Sequence, residues 1–320
     1  MTIINKPKKT ILITGSAGSF AKLLTTKLLK DDEYNIISVD KRPLAIKNLE
    51  HHQIDLRRKS ALELLRQKKP DIILHLGVIR NPQKHRQKRQ NVYFFNLETA
   101  SQILKLAQGV NCEKLIFLSS ANMYGPSADT CGFLNEDTLL HAASKNPEFR
   151  DLVAIDMMMQ SFFWKHPSTK TIILRPCHIV GPHLNNAPSR YFRLETIPYL
   201  LGFDPIMQLM HEHDLIEAIM KSIKTDHFGI FNLAGPDTAP LSFIINALGK
   251  KSMALPQTLL KAFMATTFFS KQSSFPVSEL EHLKYSCLVD TTRAKNELDF
   301  TPKYSIHKII NAIKNQPVLG

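Results

Sequence analysis

The chain has 320 residues, 43% hydrophobic and 22% charged, an ordinary globular composition long enough to bury a full core as one large domain or two lobes. No apolar run reaches the ~18 residues of a membrane span, and Met1 to Lys9 reads as too short and polar for a secretion signal, so a reduced, cytoplasmic setting is expected. The 41 basic and 28 acidic residues leave a net charge of +13, which suits a polyanionic partner or a phosphorylated substrate, while Cys112, Cys131, Cys177 and Cys287 form no C-x-x-C pair and suggest neither a disulfide framework nor a metal site.

In chain order, Thr10 to Ile13 is short, aliphatic and partly β-branched, and reads as a buried strand. It runs into Thr14-Gly15-Ser16-Ala17-Gly18-Ser19-Phe20-Ala21 and then into Lys22 to Lys30, where Leu23, Leu24, Leu28 and Leu29 recur at helical spacing. Strand, glycine turn and helix form the context that a dinucleotide fingerprint requires. Gly15 permits the tight turn, Gly18 lets backbone approach a pyrophosphate, and Ala21 keeps helix and strand close. Asn35 to Val39 is the second strand and ends on Asp40, about twenty residues after Gly18, where a carboxylate accepts ribose hydroxyls and repels a 2′-phosphate. This favours NAD over NADP, although Lys41 and Arg42 follow at once and offer a phosphate an alternative.

Ile72 to Leu76 is a third apolar strand, closed by Gly77, and Asn96 to Ala107 reads as a helix. Lys114 to Leu118 is a strand entering Ser119-Ser120, Asp151 to His166 a helix, and Lys170 to Leu174 a strand ending at Arg175-Pro176. Such alternation predicts an α/β fold, a doubly wound parallel sheet of the Rossmann kind, with ligands at the carboxyl ends of the strands. After Gly181-Pro182 the rhythm becomes irregular, broken by Pro188, Pro198 and Pro205, and Gln257 to Phe269 reads as an amphipathic helix. The expected division is a dinucleotide-binding domain over 1–182 and a smaller, irregular substrate lobe over 183–320, with 215–235 returning to the first domain.

Seven motifs in order carry a family resemblance. They are the glycine turn, Gln53-Ile54-Asp55-Leu56, Asp71 to Gly77, Leu118 to Gly125, Leu174 to Pro182, Phe231 to Gly235, and Asn296 to Pro302. The chain resembles the extended short-chain dehydrogenases/reductases of the NAD-dependent epimerase/dehydratase family. The resemblance implies NAD as cofactor, a phosphorylated or nucleotide-sugar substrate, and a possible homodimer. It implies cofactor contacts at Gly15, Ala17, Gly18, Ser19, Phe20, Asp40, Lys41, Asp55, Leu56, Leu76, Gly77, Val78, Asn96 and Ser119. Catalytic roles would fall to Ser120 and Asn96, and substrate contacts to Ser120, Tyr124, His178, Arg80 and Lys84.

The family places a tyrosine and, four positions on, a lysine on the helix after the serine strand. The phenol exchanges a proton with substrate, and the lysine lowers its pKa from about 10 and holds the nicotinamide ribose. Counting back from Arg175-Pro176, those slots fall on Leu152 and Asp156, neither of which does that work. A second register sets His141 and Lys145 there, a titratable group with its lysine kept, but Pro147 interrupts the helix and the gap to Arg175 is too long.

Each remaining candidate has a plainer role. Ser120 serves equally as a cap, Asn96 as a helix start, His178 as a buried histidine, and Tyr124 as packing against its loop. Arg80 to Arg89 carries five cations and a histidine. It is expected over the nicotinamide end, holding a diphosphate or RNA phosphates, or simply solvated. The sequence therefore supports an NAD(P)-dependent epimerase/dehydratase-like oxidoreductase with an atypical centre. The alternatives are a non-catalytic dinucleotide-binding sensor or scaffold and, more weakly, an RNA-binding relative, which the want of an aromatic-rich basic stripe disfavours.

Overall fold

The computed structural model describes residues 7–79, 89–129, 132–269, 277–314 and 316. Its centre is a parallel sheet of seven strands: β1 (Thr10–Thr14), β2 (Asn35–Asp40), β3 (Glu50–Gln53), β4 (Ile72–His75), β5 (Lys114–Leu118), β6 (Lys170–Pro176) and β7 (Gly229–Leu233). The order across the sheet is β7-β6-β5-β4-β1-β2-β3. The chain therefore runs outward from β1 to β3, then restarts on the other side of β1 at β4. That reversal leaves a crevice at the carboxyl ends of β1 and β4, where open α/β sheets take their ligands.

Both faces of the sheet's centre are covered, which is why β1, β4 and β5 are almost continuously apolar, whereas the edge strand β3 is Glu-His-His-Gln. Ile11, Ile13, Ile72, Leu74, Ile116 and Ile172 point to one core, together with Leu24 and Leu28 of α1 (Ser19–Asp31). Leu12, Ile73, Leu115 and Ile173 point to the other, against α2 (Lys59–Lys68), α3 (Arg89–Gly109) and α4 (Arg150–Lys165). Each fully buried leucine of α1 stabilises the layer by about 1.5–3 kcal/mol relative to an exposed position.

The later half of the chain divides its allegiance. α5 (Glu212–Lys224) places Leu215, Ile216 and Ile219 in the same core as α1, and β7 pairs in parallel with β6. Val289, Ala294, Leu298 and Phe300 also join that core. A second core gathers Phe192, Ile197, Leu209, Ile244, Ile309 and their neighbours into a lobe with short strands of its own. Where the sequence starts a helix at Asn96, the structure starts α3 at Arg89, two turns earlier. Asn96 is therefore an interior residue and not a cap. Among the described residues no helix is long and apolar enough to cross a membrane.

Several histidines are folded away from water. Burial pushes His75, His178 and His211 down to about 4, and His282 well below its ordinary value. An unfolded chain takes up these protons near pH 6.5 while the fold refuses them until about 4, so stability falls as pH drops through that window. The thermal midpoint is expected to fall steadily from pH 6.5 towards 4. A flat midpoint over that range would contradict the neutral, buried state.

Candidate functional site

A cleft of about 790 Å³ opens at the crevice between β1 and β4. Its floor is made by two backbones in contact. Gly15 sits at φ +73°, and a Cβ there would stand 2.4 Å from the Cα of Gly77, so any other residue at 15 would push the two strand ends apart. Gly18 has an ordinary φ of −69° and caps α1. Among the described residues α1 has no side-chain cap and no acidic group in its first turn. Its free N–H groups and positive end thus face the cleft without a protein anion on them, which fits a pyrophosphate.

Asp40 closes β2 and lines the same cleft. Its carboxylate accepts the N–H of Ala17 at 3.0 Å and the backbone and guanidinium of Arg42 at 2.9–3.2 Å. Burial pushes its pKa up, but the hydrogen bonds from Arg42 and Ala17 outweigh this and hold it below the usual value. Lys41, Ile54, Leu56 and Phe95 complete this end. Asp55 does not line the cleft. It is held by Arg57 at 2.7 Å and Lys41 at 3.3 Å, and the Arg57 hydrogen bond in particular keeps its carboxyl far below the usual range.

At the opposite end Leu76, Gly77, Val78 and Ile79 form the wall. Asn96 braces it: its Oδ1 accepts the N–H of Ile79 and its Nδ2 donates to the Ile79 carbonyl, both at 2.9 Å. The same Nδ2 lies 2.7 Å from the buried carboxylate of Asp151. Asn96 thus holds the cleft edge and ties it to α4. Ala17, Ser19, Lys22, Arg42, His183 and Asn185 also line the cleft, whereas Phe20 packs against the core. Phe95, His183 and Asn185 escaped the motif count because none belongs to a spaced pattern, while Arg42, singled out beside Lys41, does line the cleft. Phe95 did have a signal, standing next to Asn96 on one helix. Arg80 and Lys84, with the rest of the basic loop through Lys88, lie outside the described residues.

Beside this cleft, Leu152 faces a narrow, mostly apolar space of about 10 Å³, with Val78, Phe117, Leu118, Ser119, Ser120 and Met123 as the other walls. The Ser120 hydroxyl accepts the N–H of Asn122 at 3.2 Å and caps the turn Ala121–Tyr124, so its capping role is the one seen. Ser119 turns away from the cleft and donates to Asp156 Oδ2 at 2.5 Å. Asp156 is not a ribose partner either. It is fully buried, and Arg175 grips both its oxygens at 2.7 and 3.1 Å while Gln160 donates to Oδ1 at 2.8 Å.

The network continues inward. Arg175 also donates to the Tyr124 hydroxyl at 3.0 Å, and Tyr124 donates to Asn232 Oδ1 at 2.7 Å. Burial raises the Tyr124 pKa despite the neighbouring Arg175. Tyr124, expected to reach substrate, is thus a buried link between the serine strand and β7. His178 packs edge-on against His282 at 4.9 Å and is neutral. His141 is exposed and precedes the short helix Ala142–Lys145, separate from α4, so the second register does not place it on the long helix.

Comparison with known proteins fits this geometry. The family model of the NAD dependent epimerase/dehydratase family matches residues 11–234. The chain belongs to that family. It is 22% identical over 305 residues to an uncharacterized protein of Mycobacterium tuberculosis, covering 93% of this chain and 81% of the other. It is 30% identical over 192 residues to the UDP-glucose 4-epimerase GEPI42 of Cyamopsis tetragonoloba, and there it spans 53% of the relative's length. Among solved structures, the UDP-glucuronic acid 4-epimerase of Bacillus cereus in complex with UDP-glucuronic acid and NAD superposes with a TM-score of 0.76 at 18% identity, covering 96% of this chain and 98% of that one. The UDP-glucose 4-epimerase of Thermotoga maritima with UDP-glucose gives 0.74 at 16% identity, with 96% and 98% covered. As a member of an NAD dependent family, this chain keeps the doubly wound sheet and the glycine turn. It sets Leu152 and a paired Asp156 on the helix beside the serine strand.

Proposed function

We propose that this protein holds NAD in the cleft between β1 and β4, binds a nucleotide sugar beside it, and turns that sugar over slowly if at all. The observation that carries the reading is the buried bridge of Asp156 to Arg175, standing next to an apolar Leu152. A phenol works as acid–base at neutral pH only when a cation lowers its pKa, and the two helix positions are Leu152 and Asp156, neither a phenol nor a lysine. Arg175 does not replace the lysine, because burial and Asp156 commit its guanidinium inward. The cofactor, when bound, supplies hydride acceptance. Around it Gly15, Gly18 and α1 hold the pyrophosphate, Asp40 the adenosine ribose, and Asn96 the wall at Ile79.

Asp40→Ala tests the cofactor half. Loss of hydrogen bonds to a carboxylate is worth about 1.5–3 kcal/mol, so NAD should bind about 10- to 100-fold more weakly. NADP, already repelled by the carboxylate and accommodated by Arg42, should lose much less. Calorimetry with both dinucleotides reads the difference. If the parent binds neither at millimolar concentration, the proposed cofactor role is wrong.

A further inference from the structure

α1 and α5 lie side by side on one face of the sheet. Lys27 and Asp31 of α1 and Glu217, Met220, Lys221 and Lys224 of α5 line one groove. Each helix has 13 residues; Ser19 opens one and Glu212 the other. The two ends are treated differently. α1 keeps its end free, while α5 fills its own with Glu212, a fully buried carboxylate in the first turn.

The Glu212 carboxylate engages His183. His183 places Nδ1 2.5 Å from its Oε1 and its backbone N–H 3.2 Å from Oε2. Gly181 makes room for the contact, since a Cβ at that position would lie 2.1 Å from Glu212 Oε2. The loop is pinned from behind by buried Arg193, whose guanidinium donates to the carbonyls of Gly181, Pro182 and Leu184 at 2.7–2.9 Å. Asn186 secures its start by donating to the Ile179 carbonyl at 2.8 Å. All this fixed structure presents a half-exposed imidazole that lines the cleft together with Gly18, Ser19 and Lys22.

We propose that His183 is a pyrophosphate-binding residue, delivered to the cleft by the loop after Gly181, and that Glu212 is its positioning residue. The Glu212 carboxylate accepts a hydrogen bond from Nδ1–H and so fixes the ring, leaving Nε2 as the nitrogen for a ligand. A ring carrying both protons then gives a charge-assisted hydrogen bond to a phosphate oxygen, opposite the free N–H groups of α1. The diphosphate is thereby held from two sides, by the amino end of α1 and by His183. This inference rests on the cofactor role proposed above.

The test compares ADP-ribose, which carries the diphosphate, with adenosine, which does not. The parent is first titrated with NAD and ADP-ribose by calorimetry, and adenosine is followed by ligand-detected NMR. His183→Ala should weaken ADP-ribose about tenfold or more and leave adenosine unchanged. His183→Gln, which keeps an N–H donor of similar reach, should recover most of that loss, and Glu212→Gln should lose less than His183→Ala. Unchanged ADP-ribose binding in His183→Ala overturns the assignment, and so does an equal loss for both ligands, because that marks a loosened cleft. A parent that binds no dinucleotide overturns the cofactor role itself, and this contact falls with it.

Discussion

Asp156→Lys is expected to cost the fold about 3–5 kcal/mol or more. Removing one partner of a buried ion pair leaves the other charge uncompensated, and here the replacement adds a like charge beside it. Arg175 and Asp156 are both almost wholly buried. Neither Tyr124, at 3.0 Å, nor the Glu136 carbonyl, at 3.2 Å, carries a charge to neutralise Arg175. Ser119 and Gln160 would lose their acceptor as well. With whole domains stable by about 5–15 kcal/mol, such a loss consumes a large part of the margin. Adding Gln160→Glu should recover much of it, because residue 160 lies one helical turn along the same face and already reaches the Asp156 carboxylate at 2.8 Å. Urea unfolding of the parent, Asp156→Lys, and Asp156→Lys with Gln160→Glu gives the three midpoints. A single variant as stable as the parent would show that Arg175 does not depend on this carboxylate.

The centre of the sheet is readable because β1, β4 and β5 are short, apolar and closed by glycine or serine, whereas the polar edge strand β3, Glu50–Gln53, carries no such pattern and is not legible. Burial on both faces writes that pattern directly into β1, β2, β4 and β5. The glycine turn was readable too, since Gly15 occupies a backbone conformation that other residues rarely adopt. What escaped the sequence was partnership. Asp55 sits in a motif that resembles an adenine contact, yet Arg57, two residues on, takes both its oxygens. Tyr124 follows the serine strand in a familiar pattern, and only the tertiary fold brings Asn232, far along the chain, to its hydroxyl. Asp156 was identified as a substitution in a lysine position, but its counter-ion at Arg175 could not be read from spacing alone. The start of α3 was missed because the basic segment before it hides the apolar period until Asn96.

The acid–base pair can be rebuilt only together with the ion pair that now occupies its place. Leu152→Tyr with Asp156→Lys and Gln160→Glu supplies a phenol, a lysine one turn away to lower its pKa, and a carboxylate for Arg175. General acid–base catalysis contributes on the order of 10²–10⁴-fold, so a working pair should lift sugar turnover clearly above the parent. The phenol must also enter a space that is narrow beside Ser120, about 10 Å³, and packing alone could disturb the cofactor wall. Leu152→Phe in the same double background is therefore the necessary comparison, because it fills nearly the same volume without a proton to move. The expected order of rates with UDP-glucose and NAD, read as NADH absorbance and epimer formation, is tyrosine variant far above phenylalanine variant, with the parent near the latter. Equal rates for tyrosine and phenylalanine would mean that the pair is not what the parent lacks. Rapid turnover by the parent would mean that another group already moves the proton, and that Leu152 and the Asp156–Arg175 bridge do not silence the chemistry.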